Sequence, residues 1–115
     1  MKTAELTGAL LDYWTAQADG IAPEHLNIED VNGQAICGRR WPGVVSWLAL
    51  PYSTQWHLCG PLIEKHHLNI SETDPPGWRA WSDDLDAEYG RTPQEAICRA
   101  VVRAAFGDEV PEVPC

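Results

Sequence analysis

The run Thr92-Pro93-Gln94-Glu95, followed by apolar residues at helical spacing, fixes one element of this chain more firmly than any other stretch does. It reads as a capping box. A Thr oxygen and a Glu carboxylate satisfy orphan N–H groups reciprocally, and proline suits the first turn because its missing N–H is not needed there. Ile97, Ala100, Val101 and Ala104 make a stripe for burial, flanked by Cys98 and Ala105. Glu95 and Arg99 take the i, i+4 spacing in the better orientation for an ion pair. Gly107 offers the stop, and the residues from Asp108 onward read as a tail. The rest of the chain must cover that stripe.

A first helix is expected between Thr3 and Ala18, with Leu6, Leu10, Tyr13 and Trp14 facing the core and Glu5 and Asp12 left in water. Thr3 and Thr7 are both candidate caps, and Gly20 is a stop. Leu26 and Ile28 then alternate with polar residues. Asn32-Gly33 is a strong hairpin signal, because both residues accept positive φ, and Ala35 to Cys37 form the return strand. Arg39-Arg40-Trp41-Pro42-Gly43 reads as a turn with a basic, aromatic tip. Val44 to Leu50, ended by Pro51, reads as a buried strand. A short helix is expected over Gly60–His66, with Pro61 at its start. Leu68 and Ile70 begin a second hairpin that turns at Asp74-Pro75-Pro76-Gly77 and returns along Trp78–Ser82. Trp78 and Ala80 share one face of that strand, Arg79 and Trp81 the other. Asp83 to Arg91 reads as an acidic loop.

This order predicts an α+β domain over residues 1–110, with a tail at 111–115. One small antiparallel sheet of about four or five strands would carry the N- and C-terminal helices on one face, beside a short central helix. A chain of 115 residues suits one such core. Six tryptophans against one Phe and one Met predict that large rings fill much of that core.

The formal charge of -9 disfavours direct nucleic-acid binding unless Arg39, Arg40 and Lys65 gather on one face. It suits solubility, or a basic protein partner. The N-terminus shows no apolar signal segment, and no run approaches the ~18 apolar residues of a membrane span. A cytoplasmic protein without membrane contact is expected. Its cysteines, Cys37, Cys59, Cys98 and Cys115, then read as free thiols.

Chemistry is tested and mostly rejected. His57, Cys59, His66 and His67 are metal-ligand types within a short span, but no second cysteine pair completes a zinc set. Asp84, Asp86, Glu88 and Glu95 imitate a calcium loop, yet Tyr89 stands where the required glycine belongs. Cys59 beside His57 could be drawn as a nucleophile and base. On an extended segment, though, the two would lie parallel rather than face each other across a cleft. No phosphate loop, dinucleotide motif or other cofactor signature is present. No catalytic residue, metal or cofactor is assigned.

A binding surface remains. Arg40, Trp41, Tyr52, Ser53, Thr54, Trp56, His57, Gly60 and Trp81 are its candidate residues, since aromatics with Arg are enriched at interface anchors. They centre on Tyr52 to Glu64, the least generic stretch of the chain.

Several runs resemble the NinX-like proteins of tailed phages: Met1 to Asp12, Tyr52-Ser53-Thr54-Gln55-Trp56, Gly60-Pro61-Leu62-Ile63-Glu64, Thr92-Pro93 and Gly107-Asp108-Glu109-Val110. The resemblance spans nearly the whole domain. It implies a phage or prophage gene acting in the bacterial cytoplasm, in a family of unknown function with no catalytic residues to carry over. His57-Leu58-Cys59 departs from the pattern, where a small polar run leading to two glycines is expected.

The function expected is a non-enzymatic accessory protein that binds an unidentified host or phage protein. One version is an acidic inhibitor of a nucleic-acid enzyme or host defence system. The alternatives are a small-ligand or nucleotide-binding protein or hydrolase at the Tyr52–Gly60 loop, where free helix N–H groups could hold an anion, and a helper of phage DNA recombination. Self-association is left open.

Overall fold

The computed structural model describes residues 1–40, 47–73, 77–83 and 85–111. Trp41, the start of the strand at Val44, the Asp74-Pro75-Pro76 turn, Asp84 and Cys115 lie outside them. Among the described residues, three α-helices, α1 (Gly8–Ala18), α2 (Trp56–His66) and α3 (Pro93–Phe106), are separated by two groups of three strands. The strands are β1 (Leu26–Val31), β2 (Gln34–Arg40), β3 (Trp47–Ala49), β4 (Asn69–Thr73), β5 (Gly77–Ser82) and β6 (Leu85–Gly90). They form two antiparallel three-stranded sheets, β1-β2-β3 and β4-β5-β6, in place of the single sheet expected. α1 and α3, the two long helices expected on one face, lie between the sheets. α1 packs on the first sheet and on α3, and α3 packs on α1, on α2 and on the second sheet.

The burial of α3 explains this layering. Ala96, Ile97, Cys98, Ala100, Val101 and Val102 are all fully buried, a band wide enough to be covered from several sides. Ala104 and Ala105, expected in or beside the stripe, are exposed, and Cys98 is in the centre of the core. Small side chains let neighbours come close. A Cβ on Gly90 of β6 would sit 2.6 Å from the backbone nitrogen of Ala96. Tryptophan therefore contributes less to the core than its abundance suggests. Trp14 is the buried one among the described residues, held edge-on between Tyr13 and Phe106 with both ring centroids at 5.4 Å.

At the start of α3, Thr92 Oγ1 accepts from the Glu95 N–H at 3.1 Å. The Glu95 carboxylate reaches back to the Arg91 N–H, one residue before the expected Thr92. It also pairs with Arg99 at 3.2 Å. Arg99 in turn donates to the carbonyls of Leu6 and Tyr89, so one guanidinium joins α3 to the N-terminal segment and to β6.

The first helix is shorter than expected. A 3-10 turn at Thr3–Glu5 is followed by extended Thr7 and then Gly8 at φ 55, a conformation that breaks a continuous helix and favours glycine. Neither threonine caps: Thr7 makes no side-chain cap bond, and Thr3 Oγ1 donates instead to the Gly107 carbonyl. Leu11, not Leu10, is the fully buried leucine of α1, and Asp12 is buried rather than solvated. Part of the run from Asp108 onward that reads as a tail is packed instead. Val110 is buried, and its N–H and carbonyl bond the Met1 carbonyl and amino group.

The hairpin at Asn32-Gly33 is present as expected, with φ 55 and 84, and joins Val31 to its partner Gln34. β5 carries Trp78 and Ala80 on its inner face and Arg79 and Trp81 on its outer face, also as expected. Asp83 to Arg91 is not a loop, because β6 occupies most of it. Glu88 lies directly opposite Ala80 on the buried side of the sheet, where Arg103 neutralises it at 2.7 Å.

α2 begins at Trp56, four residues before the expected Gly60, and Pro61 falls inside it. The carbonyl of His57 loses its helical partner there, but both residues are exposed and water can reach it. The helix closes on His67 at φ 53, with the Leu68 N–H bonded to the Ile63 carbonyl. His67→Gly removes the side-chain clash of that left-handed residue, and we expect it to raise stability by about 0.5–1 kcal/mol in urea unfolding. A loss instead would mean that the imidazole makes contacts outweighing the backbone strain. Among the described residues no helix is long and apolar enough to cross a membrane.

Candidate functional site

The central loop is a strapped segment. Asp12 Oδ1 accepts from the Ser53 N–H at 2.7 Å, and Asp19 Oδ2 accepts from the Tyr52 hydroxyl at 2.9 Å. Asp19 also pairs with Lys65 at 2.7 Å. One carboxylate on α1 and one just past its end thus tie down both the loop and the far end of α2. Burial pushes the Asp12 carboxyl above its ordinary range, only partly offset by its hydrogen bonds to Ser53. Burial, then the Asp19 charge, push the Tyr52 phenol upward too.

The sign of the Asp12 effect gives a prediction. A carboxyl whose folded-state pKa is raised binds its proton more readily in the folded than in the unfolded chain. Stability therefore gains from this group as pH falls through the interval just above the usual carboxylate range. Asp12→Asn keeps an acceptor for Ser53 and lacks that gain. Its stability relative to the wild type should fall as pH is lowered from 7 toward about 4. Asp12→Ala leaves the Ser53 N–H without its acceptor and should cost about 1–3 kcal/mol at neutral pH. A pH-independent difference between wild type and Asp12→Asn would contradict the assignment.

The sequence candidates separate. Tyr52 and Ser53 are buried in the strap, while Thr54, Trp56 and His57 are exposed beside it. Trp56 is 49% exposed at the first turn of α2. Gly60 is half-buried within that helix, not at its N-terminus, so its N–H belongs to the helix and is not open to an anion. Arg40 is on β2 of the first sheet, paired with Glu29 at 3.2 Å. Trp41 is outside the described residues. Trp81 is half-buried on β5 of the second sheet. Arg39 and Arg40 alternate sides of β2 and Lys65 is engaged by Asp19, so the three do not form a basic cluster.

The thiols are enclosed. Cys37, Cys59 and Cys98 are free and fully buried. Burial, then the Asp12 charge, push Cys37 up to about 12. Cys98 is also pushed well up, first by the hydrogen bond it shares with Cys59 and then by burial. Cys59 and His57 are both on helical α2, not on an extended segment, and one is buried while the other is exposed. Among the described residues, no three His, Cys, Asp or Glu side chains converge to hold a metal ion. A cleft of about 200 Å³ opens beside Gly8, Asp12, Ile36, Ala49 and Ser53.

Sequence reading picked out Trp81 but missed the residues that join it on the outer face of the second sheet. Arg79 lies directly between Ser71 of β4 and Tyr89 of β6 in the ladder. Its Nε donates to Ser71 Oγ at 2.8 Å, and its guanidinium lies 4.5 Å from the centre of the Trp81 ring. Tyr89 is 55% exposed. α3 covers the opposite, Ala80–Glu88 side of this sheet, so Arg79, Trp81 and Tyr89 share its outer face. The missed signal was Tyr89, two residues from Ala87 and across from Arg79, which becomes visible only once 85–90 is read as a strand.

The family described as Bacteriophage P22, NinX matches residues 2–105. No curated protein matches the chain.

Proposed function

We propose, since this chain belongs to the NinX family of phage proteins, that it is an accessory protein working as a non-enzymatic binding module for a host or phage protein. The observation that carries this reading is the outer face of β4-β5-β6, where Arg79, Trp81 and Tyr89 stand together and, among the described residues, no helix covers them. Aromatic side chains beside an arginine are the residue types that anchor protein interfaces. The net charge of -9 and the separation of Arg39, Arg40 and Lys65 argue against a helper that grips DNA directly. An inhibitor imitating DNA would use acidic surface, and this face offers an arginine instead.

A photo-crosslinking amino acid in place of Tyr89 tests the reading in the host bacterium, with and without phage infection. A discrete covalent adduct to one protein is expected from position 89 and not from the exposed Asp30 near the end of β1. Equal labelling from both positions, or none from either, would defeat it.

A second reading rests on the cleft of about 200 Å³ beside buried Asp12 and Ser53. It has room for a small polar ligand next to the strapped loop. A compound that raises the melting temperature of the wild type, but not of Asp12→Asn, would favour it.

A further inference from the structure

We infer that the outer face of the second sheet takes a peptide segment bearing a single carboxylate beside an apolar or aromatic side chain, with Arg79 as the carboxylate clamp. This rests on the reading of that face as a protein-binding surface. Arg40, Lys65, Arg99 and Arg103 each pair with a carboxylate of the chain itself. Among the described residues, Arg79 bonds a neutral hydroxyl and stacks on a ring instead. Ser71 holds Nε and the Trp81 ring supports the plane, so the guanidinium is fixed before any partner arrives. The edge formed by its two terminal nitrogens is left as a fork that matches a carboxylate. Fixing it in advance lowers the entropy lost on binding. Tyr89, directly across the ladder, supplies the apolar surface next to the clamp.

A phosphate also fits such a fork, and bases can stack on Trp and Tyr. The single guanidinium of Arg79 gains little from counterion release, and a chain of charge -9 repels a polyanion. The same repulsion selects a segment with one carboxylate over an acidic run.

The test is selection of a random peptide library, displayed on its own messenger RNA, against the immobilised full-length protein. Enriched peptides are then measured against wild type, Arg79→Gln, Arg79→Lys and Tyr89→Ala, each first shown to keep the wild-type unfolding midpoint. Enriched peptides should share one Asp or Glu next to an apolar residue. Changing that acid to its amide, or Arg79 to Gln, should weaken binding about tenfold or more. Arg79→Lys should recover little, because a point charge lacks the fork. Enriched peptides without an acidic residue, or indifferent to Arg79→Gln yet weakened by Tyr89→Ala, would overturn the clamp and leave the face as a binding surface. No enrichment, or indifference to both changes, would overturn the face itself. Tight binding of a labelled oligothymidine, lost in Arg79→Gln, would replace the peptide by single-stranded nucleic acid.

Discussion

Replacing Arg103 by methionine should cost the fold about 3 kcal/mol, the largest loss expected from a single side chain away from the hydrophobic core. Glu88 stands on the inner face of the second sheet with its side chain 5% exposed, and Arg103 Nη1 meets it at 2.7 Å. Without the guanidinium, a carboxylate remains where water cannot solvate it. Breaking a buried pair in this way costs more than the pair contributes, because one charge is left uncompensated. Arg103 is itself 29% exposed, which keeps the expected loss at the low end of the usual range. The double change Arg103→Met with Glu88→Leu removes both charges and should restore most of the loss. Urea unfolding of the three proteins measures both effects. A loss below about 1 kcal/mol in the single variant would mean that water reaches Glu88 in solution.

Gly90→Ala should be comparably damaging, by about 2–3 kcal/mol. The added methyl would lie 2.6 Å from the Ala96 nitrogen and 2.9 Å from Glu95 Cβ. The first of these is backbone, in the opening turn of α3, and cannot rotate away. Strand and helix would have to separate, loosening the Arg99 bonds that bridge them. Gly60→Ala is the matched control. Gly60 is inside α2 with nothing but its chain neighbours within 4 Å of its added Cβ, and the crowding of an alanine by Pro61 offsets its helical preference, so the change should stay within about 1 kcal/mol of the wild type. Similar shifts in the two unfolding midpoints would remove close packing as the cause.

Elements with local signals were legible in the sequence. Asn32-Gly33 carries its hairpin in its own backbone preferences, and Thr92 to Glu95 carry the start of α3. What was not legible depended on distant partners. β6 was hidden because its inward residue is Glu88, which only Arg103 makes acceptable in a buried face. Asp12 looked like a solvent residue because its acceptor role is set by Ser53, far along the chain. The start of α2 was misplaced because Pro61 is a stronger local signal than the turn at Pro51–Gln55, whose Pro51 carbonyl accepts from the Thr54 and Gln55 N–H groups. The candidate surface suffered likewise. Tyr52 and Ser53 attract notice by composition, but α1 ties them down. Arg79 and Tyr89 become neighbours only through strand pairing.

The position of α3 also dictates an order of events during synthesis. The helix that both α1 and the second sheet need against their apolar sides follows every other described helix and strand in the chain. Until it emerges, the earlier elements have no shared partner, and α1 has only the first sheet to lean on. A nascent chain halted before Pro93 would display those uncovered sides to chaperones and proteases, whereas a chain extended through Phe106 can close these layers in a single late step.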